Sequence, residues 1–231
     1  MSKIILLNGV KSLGKDEAIT YLRSLGYPLV RREAKGKLHT LVQEFFCVSP
    51  ERYWEVYEDR ELKESPLPEF HIHLDFDEHY YLEEMLGYNL TDEWEDGHPR
   101  LLGNTSGSLC EVNLSIREAM IYISEVIMKP RMGSGYFGVA RAKAIQEGEI
   151  AVDSSTGFVE ELPPLIERLG QENILLIRVH REGATFEGDS RNYIPDGVIS
   201  NTVDVNSVYG ELTEYLEEVE KIVEGFLNET Y

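Results

Sequence analysis

Cysteine is nearly missing: Cys47 and Cys110 are the only two in 231 residues. That excludes a disulfide-stapled scaffold and the paired thiol spacing of a structural zinc site, and it fits a reducing compartment. Positive charge is also short, with 22 Lys and Arg against 42 Asp and Glu and a formal net charge of −20. A long duplex nucleic acid is therefore disfavoured as a partner, because phosphate neutralisation by Lys and Arg supplies most of that affinity. A small anionic substrate stays open, since a few cations can converge locally. The apolar run at residues 3–8 is far too short to span a membrane and flows directly into a loop, so a cytoplasmic protein is expected. No internal repeat or low-complexity tract marks a second independent domain, and one domain over 1–231 with an inserted region is expected.

What is present is concentrated near the amino terminus. Lys3–Asn8 gives way to Gly9-Val10-Lys11-Ser12-Leu13-Gly14-Lys15-Asp16 and then to a helical pattern carried by Ala18, Ile19, Leu22 and Leu25. The spacing G-x-x-x-x-G-K between a strand and a helix fits a phosphate-binding loop. Gly9 and Gly14 permit the turn, successive N–H groups point inward at an anion, and Lys15 reaches the outer phosphates. The helix dipole adds to that cradle. One position departs from the pattern: the Ser or Thr that would hold Mg²⁺ after the lysine is replaced by Asp16, with Glu17 next.

Downstream, Gly26-Tyr27-Pro28 turns the chain into a short strand at Leu29-Val30, ahead of Arg31 and Arg32. The spacing of Leu38, Leu41, Val42, Phe45 and Phe46 predicts a helix over 34–46. Ser49 as N-cap and Pro50 at the first helical position open another, which runs through Tyr53, Trp54 and Tyr57 into the charged segment 58–64 and stops at Ser65–Pro68. Residues 69–112 read as an elaboration broken by Gly97, Pro99, Gly103 and Gly107. His71-x-His73 beside Asp75 and Asp77 reads as exposed polar positions on an edge strand rather than a metal site.

Ser115 caps a helix with Ile116, Ala119, Met120, Ile123 and Ile127 on one side, ending at Lys129-Pro130-Arg131. Met132–Gly135 leads to a further amphipathic stretch through Tyr136, Phe137, Val139, Ala140 and Ala144. With Lys129, Arg131, Arg141 and Lys143 this is the most basic part of the chain, and a lid over about 129–138 or plain solvated charge would account for it. Ile150–Val152 is a buried strand with polar Asp153–Gly157 at its carboxyl end, where parallel sheets build sites. A helix over Glu160–Leu169, a strong strand over 173–179, a last strand over Val198–Asn201 and a closing helix from Val208 through Phe226 complete the pattern. This alternation predicts a three-layer α/β/α P-loop fold with a five-stranded parallel sheet and an inserted helical region.

Three groups of residues carry a family likeness. The first is the loop, with Lys11 inside it and Asp16 directly after Lys15. The second is Leu38-His39, Phe45–Val48 and Asp59-Arg60-Glu61-Leu62-Lys63-Glu64. The third runs from Arg117 through Ser124-Glu125 and Tyr136-Phe137-Gly138 to Val152-Asp153, then to Arg178–Gly183 and Gly188–Arg191. In these, and over most of the chain outside residues 69–112, it resembles the deoxynucleoside monophosphate kinases of bacteriophages. That family also places a basic residue inside the loop and Asp after the loop lysine, and has Lys where His39 stands.

The resemblance implies transfer of the ATP γ-phosphate to a deoxynucleoside monophosphate, with Mg²⁺, for phage DNA precursor supply in a host cytoplasm. It implies that Gly9, Ser12, Leu13, Gly14, Lys15, Asp16 and Glu17 hold the ATP phosphates, with Arg178 or Arg181 near the adenine or the phosphates. Lys11 would lean toward the acceptor or the transferred group, Arg60 and Arg117 would clamp the monophosphate, and Arg131 would close from the lid. A substrate region over about 31–68 would include Leu38, His39 and Lys63, joined by Ser124 and Glu125. Phe137 would stack on the base or serve the core. Asp16 and Asp153 are the carboxylates for Mg²⁺, and a homodimer is implied, with no membrane partner. Two alternatives remain open: a related P-loop kinase acting on a modified pyrimidine in DNA, and a nucleotide-binding module that no longer catalyses.

Overall fold

A computed structural model of the chain describes residues 1–87, 90, 101–105, 109–187 and 191–228. In order, the elements are β1 (Lys3–Asn8), α1 (Lys15–Ser24), β2 (Leu29–Arg31), α2 (Lys35–Phe46), α3 (Pro50–Glu58), α4 (Arg60–Glu64), β3 (His71–Asp75), α5 (Phe76–Leu86), β4 (Leu101–Thr105), β5 (Leu109–Asn113) and α6 (Ile116–Ile121). A π-helical segment (Tyr122–Met128) then leads into α7 (Lys129–Met132), α8 (Tyr136–Ala144), β6 (Ile150–Thr156), α9 (Pro163–Leu169), β7 (Ile174–His180), β8 (Asn201–Asn206) and α10 (Leu212–Asn228). Gly97, Pro99, Gly107 and Gly188–Ser190 lie outside the described residues. The chain divides into two compact units, Met1–Gly36 with Gly135–Tyr231, and Lys37–Ser134.

The first unit is a five-stranded sheet in the order β2-β6-β1-β7-β8 with every pairing parallel. Helices cover both faces, α1 and α10 on one and α8 and α9 on the other. Strands buried on both faces need apolar side chains on both, which is why β1 and β7 carry the continuous apolar runs Ile4–Leu7 and Ile174–Ile177. Their alternation sorts the core. Ile5, Leu7 and Val152 pack with Ala18, Ile19 and Leu22 of α1 and Val219 and Val223 of α10. Ile4, Leu6 and Ala151 point the other way, onto Ala142 of α8 and Leu165 of α9.

Two elements at this end differ from the sequence expectation. The last strand is Asn201–Asn206, not Val198–Asn201. Ile199 is buried against Leu165 and Leu176 on the α8–α9 side, so the apolar pair drew the boundary too early, while the polar edge strand pairs from Leu175↔Asn201 onward. The closing helix starts at Leu212 because Gly210 takes a positive φ of 88° just before it.

The second unit holds a three-stranded antiparallel sheet, β3-β5-β4, with β3 at its edge. Its core joins Ile72, Leu74 and Val112 of the sheet to Val42, Tyr53 and Val56 of α2 and α3, Leu82 of α5, and Ile116, Ala119 and Ile123. The charged segment does not continue α3. Asp59 stays extended, its carboxylate accepts the N–H groups of Glu61 and Leu62, and a new short helix begins. The helix capped by Ser115 runs through Pro130 to Met132, one residue beyond the expected end at Arg131. The backbone widens to the π pattern, with the Lys129 N–H donating to the Ser124 carbonyl, and the chain stays helical through Met132. Widening the turn ahead of Pro130 relieves the clash and missing N–H that would break an ordinary helix there. Among the described residues no group of three or more His, Cys, Asp or Glu is arranged to hold a metal ion, and no helix is long and apolar enough to cross a membrane.

Candidate active site

The loop after β1 is held from below by Asn8 and by a close backbone approach. The fully buried Asn8 amide donates to the carbonyls of Thr156 (2.9 Å) and Asn192 (3.0 Å) and accepts from the Ile194 N–H (2.8 Å). A Cβ on Gly9 would lie 2.5 Å from the Val179 carbonyl oxygen, so glycine is required by space. Ser12 (φ 63°) and Gly14 (φ 84°) take left-handed conformations and curl the loop over the start of α1. Ser12 alone there strains a non-glycine residue.

Gly14 ends the loop as the N-cap of α1 with no side chain capping the helix, so its first-turn N–H groups are left to an anion. Lys15 is 6% exposed, and its ammonium donates to the carbonyls of Gly9 (2.8 Å) and Val10 (2.6 Å). Leu13 is buried, whereas Lys11 is exposed and makes no ion pair among the described residues. The Tyr215 ring lies beneath the loop, 3.0 Å from where a Gly14 Cβ would stand. Glu17 occupies the first turn of α1, exposed.

Asp16 and Asp153 come to opposite faces of the sheet. Ala151 and Asp153 share the α8–α9 side, where Asp153 is wholly buried in an ion pair with Arg141 and its other oxygen accepts from the Ser155 N–H and hydroxyl (2.6 Å each). Val152 and Ser154 share the α1 side. There the Ser154 hydroxyl donates to Asp16 Oδ1 (2.9 Å) and lies 3.3 Å from Glu33 Oε1. Arg31, at the end of β2, reaches both carboxylates, with Nη2 2.8 Å from Asp16 and Nη1 3.1 Å from Glu33, and Lys35 adds a contact to Glu33 at 3.4 Å. Partial burial pushes the Asp16 carboxyl up, but the Ser154 hydroxyl and the Arg31 guanidinium outweigh it and the net pKa lies below the ordinary value. Arg31, Glu33 and Ser154 were not among the residues singled out from sequence. The available signal was position, since all three lie at or near the carboxyl ends of strands.

At the far side of the loop, Arg181 donates to the Ser12 carbonyl (3.1 Å), the Ser207 carbonyl (2.9 Å) and the Ser207 hydroxyl (2.7 Å), tying the loop to the segment after β8. Arg178 is engaged elsewhere, by Asp204 (2.6 Å), Asp196 (2.8 Å) and the Ile194 carbonyl. His180 shares Asp204 at 2.5 Å. Phe137 is 3% exposed and edge-on to Tyr136, a core position of the first unit.

Within the second unit, His39 is buried with Nδ1 2.6 Å from the Tyr53 hydroxyl and its ring against Trp54 and Tyr57. Lys63 sits over the Tyr57 ring at 3.7 Å, so Tyr57 joins the two predicted residues. Leu38 packs on the same core. Arg117 lies 3.6 Å from Glu64, and Arg60 is exposed with no ion pair among the described residues. Ser124 donates to Glu125, which pairs with Lys129 (2.8 Å each), and Arg131 donates to the Ile127 carbonyl (3.1 Å).

No family model matches the chain, and no curated protein matches it. Among solved structures, a gluconokinase from Sinorhizobium meliloti 1021 aligns over 98% of this chain and 94% of its own length, at 12% identity and a TM-score of 0.40. A likeness of that size leaves the chemistry to the residues above.

Proposed function

We propose that the protein is an ATP-dependent kinase of the P-loop type whose acceptor is a deoxynucleoside monophosphate. The observation that supports the kinase part of this reading is the loop on the central strand, with Lys15 buried behind it and an uncapped helix aimed into it, and the choice of acceptor rests on the family resemblance. Phosphoryl transfer between two polyanions asks a protein mainly to align donor and acceptor and to neutralise charge on the transferred group.

On this reading Lys15 exchanges the Gly9 and Val10 carbonyls for the outer phosphate oxygens of ATP, while Arg181 keeps the loop in shape. Lys11, exposed on the loop, serves the transferred group. Arg60 and Arg117 clamp the acceptor phosphate, since a guanidinium grips phosphate through two parallel hydrogen bonds. Arg131 adds charge from the lid. The Asp16 carboxylate is a hard oxygen donor beside the loop and fits Mg²⁺, whereas Asp153 has both oxygens taken by Arg141 and Ser155. Mg²⁺, when bound, supplies positive charge to the β- and γ-phosphates.

A coupled assay of ADP release with dAMP, dCMP, dGMP and dTMP tests the reading. Turnover with at least one is expected. ATP binding without transfer to any monophosphate would favour the non-catalytic module, and transfer to oligonucleotides alone would favour a DNA-base kinase, against the charge of −20.

A further inference from the structure

We infer that this loop keeps the hydroxyl and carboxylate pair with which P-loop proteins hold the nucleotide's divalent cation, but with the two members exchanged between loop and strand. Arg31, paired with the same carboxylates, competes with that cation for them. The inference deepens the nucleotide reading above and rests on it.

In the usual arrangement the hydroxyl follows the loop lysine and the carboxylate comes from a strand end. Here the residue after Lys15 is Asp16, and the strand beside β1 is β6, paired in parallel register Ile5↔Val152. The next β6 side chain on the α1 face after Val152 is Ser154, 6% exposed, with its hydroxyl 2.9 Å from Asp16 Oδ1. The carboxylate that follows Val152 directly, Asp153, faces the opposite layer and is consumed by Arg141. The exchange is thus set by strand alternation: one residue's shift along β6 puts the hydroxyl, not the acid, on the loop's side.

A third oxygen group converges from β2. Glu33 Oε1 lies 3.3 Å from the Ser154 hydroxyl, and Arg31 bridges Asp16 and Glu33 at 2.8 and 3.1 Å. Two carboxylates sharing one hydroxyl donor repel unless a cation stands between them, and the guanidinium does so. Two carboxylates and a hydroxyl are the hard oxygen set that suits Mg²⁺. The Arg31 side chain, 38% exposed, has solvent into which it can withdraw when a metal arrives.

Mn²⁺ binding, followed by the spectroscopic signal of the free ion with saturating ADP and no acceptor, reads this site without turnover. Ser154→Ala and Glu33→Gln are each expected to weaken Mn²⁺ binding about tenfold, with Ser154→Thr close to wild type. Arg31→Gln is expected to tighten it severalfold by removing the competing cation. Asp16→Ser and Ser154→Asp should each weaken binding, and the two together should recover to within about threefold of wild type, a coupling that a merely structural role does not produce. Unchanged Mn²⁺ affinity in both Ser154→Ala and Glu33→Gln, or no recovery in the double exchange, overturns the inference. If Ser154→Ala fails to fold, Glu33→Gln and Arg31→Gln decide it by the same measurement. ADP affinity separates the two levels: no ADP binding by wild type, either in EDTA or with Mn²⁺, removes the nucleotide reading and the exchange together, whereas ADP binding with Mn²⁺ indifferent to both Ser154 and Glu33 removes the exchange alone.

Discussion

A buried lysine whose side-chain nitrogen rests on two backbone carbonyls is satisfied and ready to change partners. Lys15→Ala should therefore lower kcat/KM by roughly 100-fold or more, in the range found when one preorganised donor to developing charge is removed, while thermal stability changes little. The opposite balance is expected across the sheet. Arg141 and Asp153 are both wholly buried, so Asp153→Asn or Arg141→Met leaves one charge without its partner and should destabilise by about 3–5 kcal/mol in chemical denaturation. A large loss of activity with full stability in Asp153→Asn would instead put that carboxylate in the chemistry. Here sequence reading reached its limit for a definite reason. Adjacent strand residues face opposite layers, but the chain alone does not say which layer contains α1, and Ser154 meets Asp16 across 138 residues. His39 shows the same limit: the resemblance placed it in the substrate region, and only the structure shows that it lies among Tyr53, Trp54 and Tyr57.

Single elements were legible where their signals are local. β1, the loop and α1 follow from an apolar run, two glycines and a 3.6-residue pattern within 22 residues of Lys3, and Ser49 and Ser115 cap helices as their spacing indicates. The π segment and the polar strand β8 were not legible, because both depend on what they pack against. Gly9→Ala tests the first element directly: its Cβ would press on the Val179 carbonyl of β7 and should destabilise by about 1–3 kcal/mol, measured by denaturation. At the β7–β8 edge, the Arg178 hydrogen bonds hold the Asp204 carboxyl below its ordinary 3.8 against the push of burial, with His180 helping. The folded pKa is depressed, so this stabilisation is present above 3.8 and fades as pH falls through the lower folded value. Asp204→Asn should lower stability at neutral pH, and the gap to wild type should close as the acid titration passes below that range.

Across the whole molecule, the alternation of strands and helices was enough to foresee a five-stranded parallel sheet, because buried parallel strands and covering helices leave opposite periodicities in the chain. The antiparallel sheet of the second unit was read only as an elaboration, since short strands around glycine and acidic residues carry little pattern. The acidic balance of the chain disfavours an extended polyanion and leaves room for a small anionic substrate met by a few placed cations. ATP labelled in its γ-phosphate, incubated with the protein, Mg²⁺ and each deoxynucleoside monophosphate in turn, tests that central claim most directly. The account predicts label in a deoxynucleoside diphosphate for at least one acceptor; label confined to ATP and inorganic phosphate with all of them, from protein that binds ATP, would contradict it.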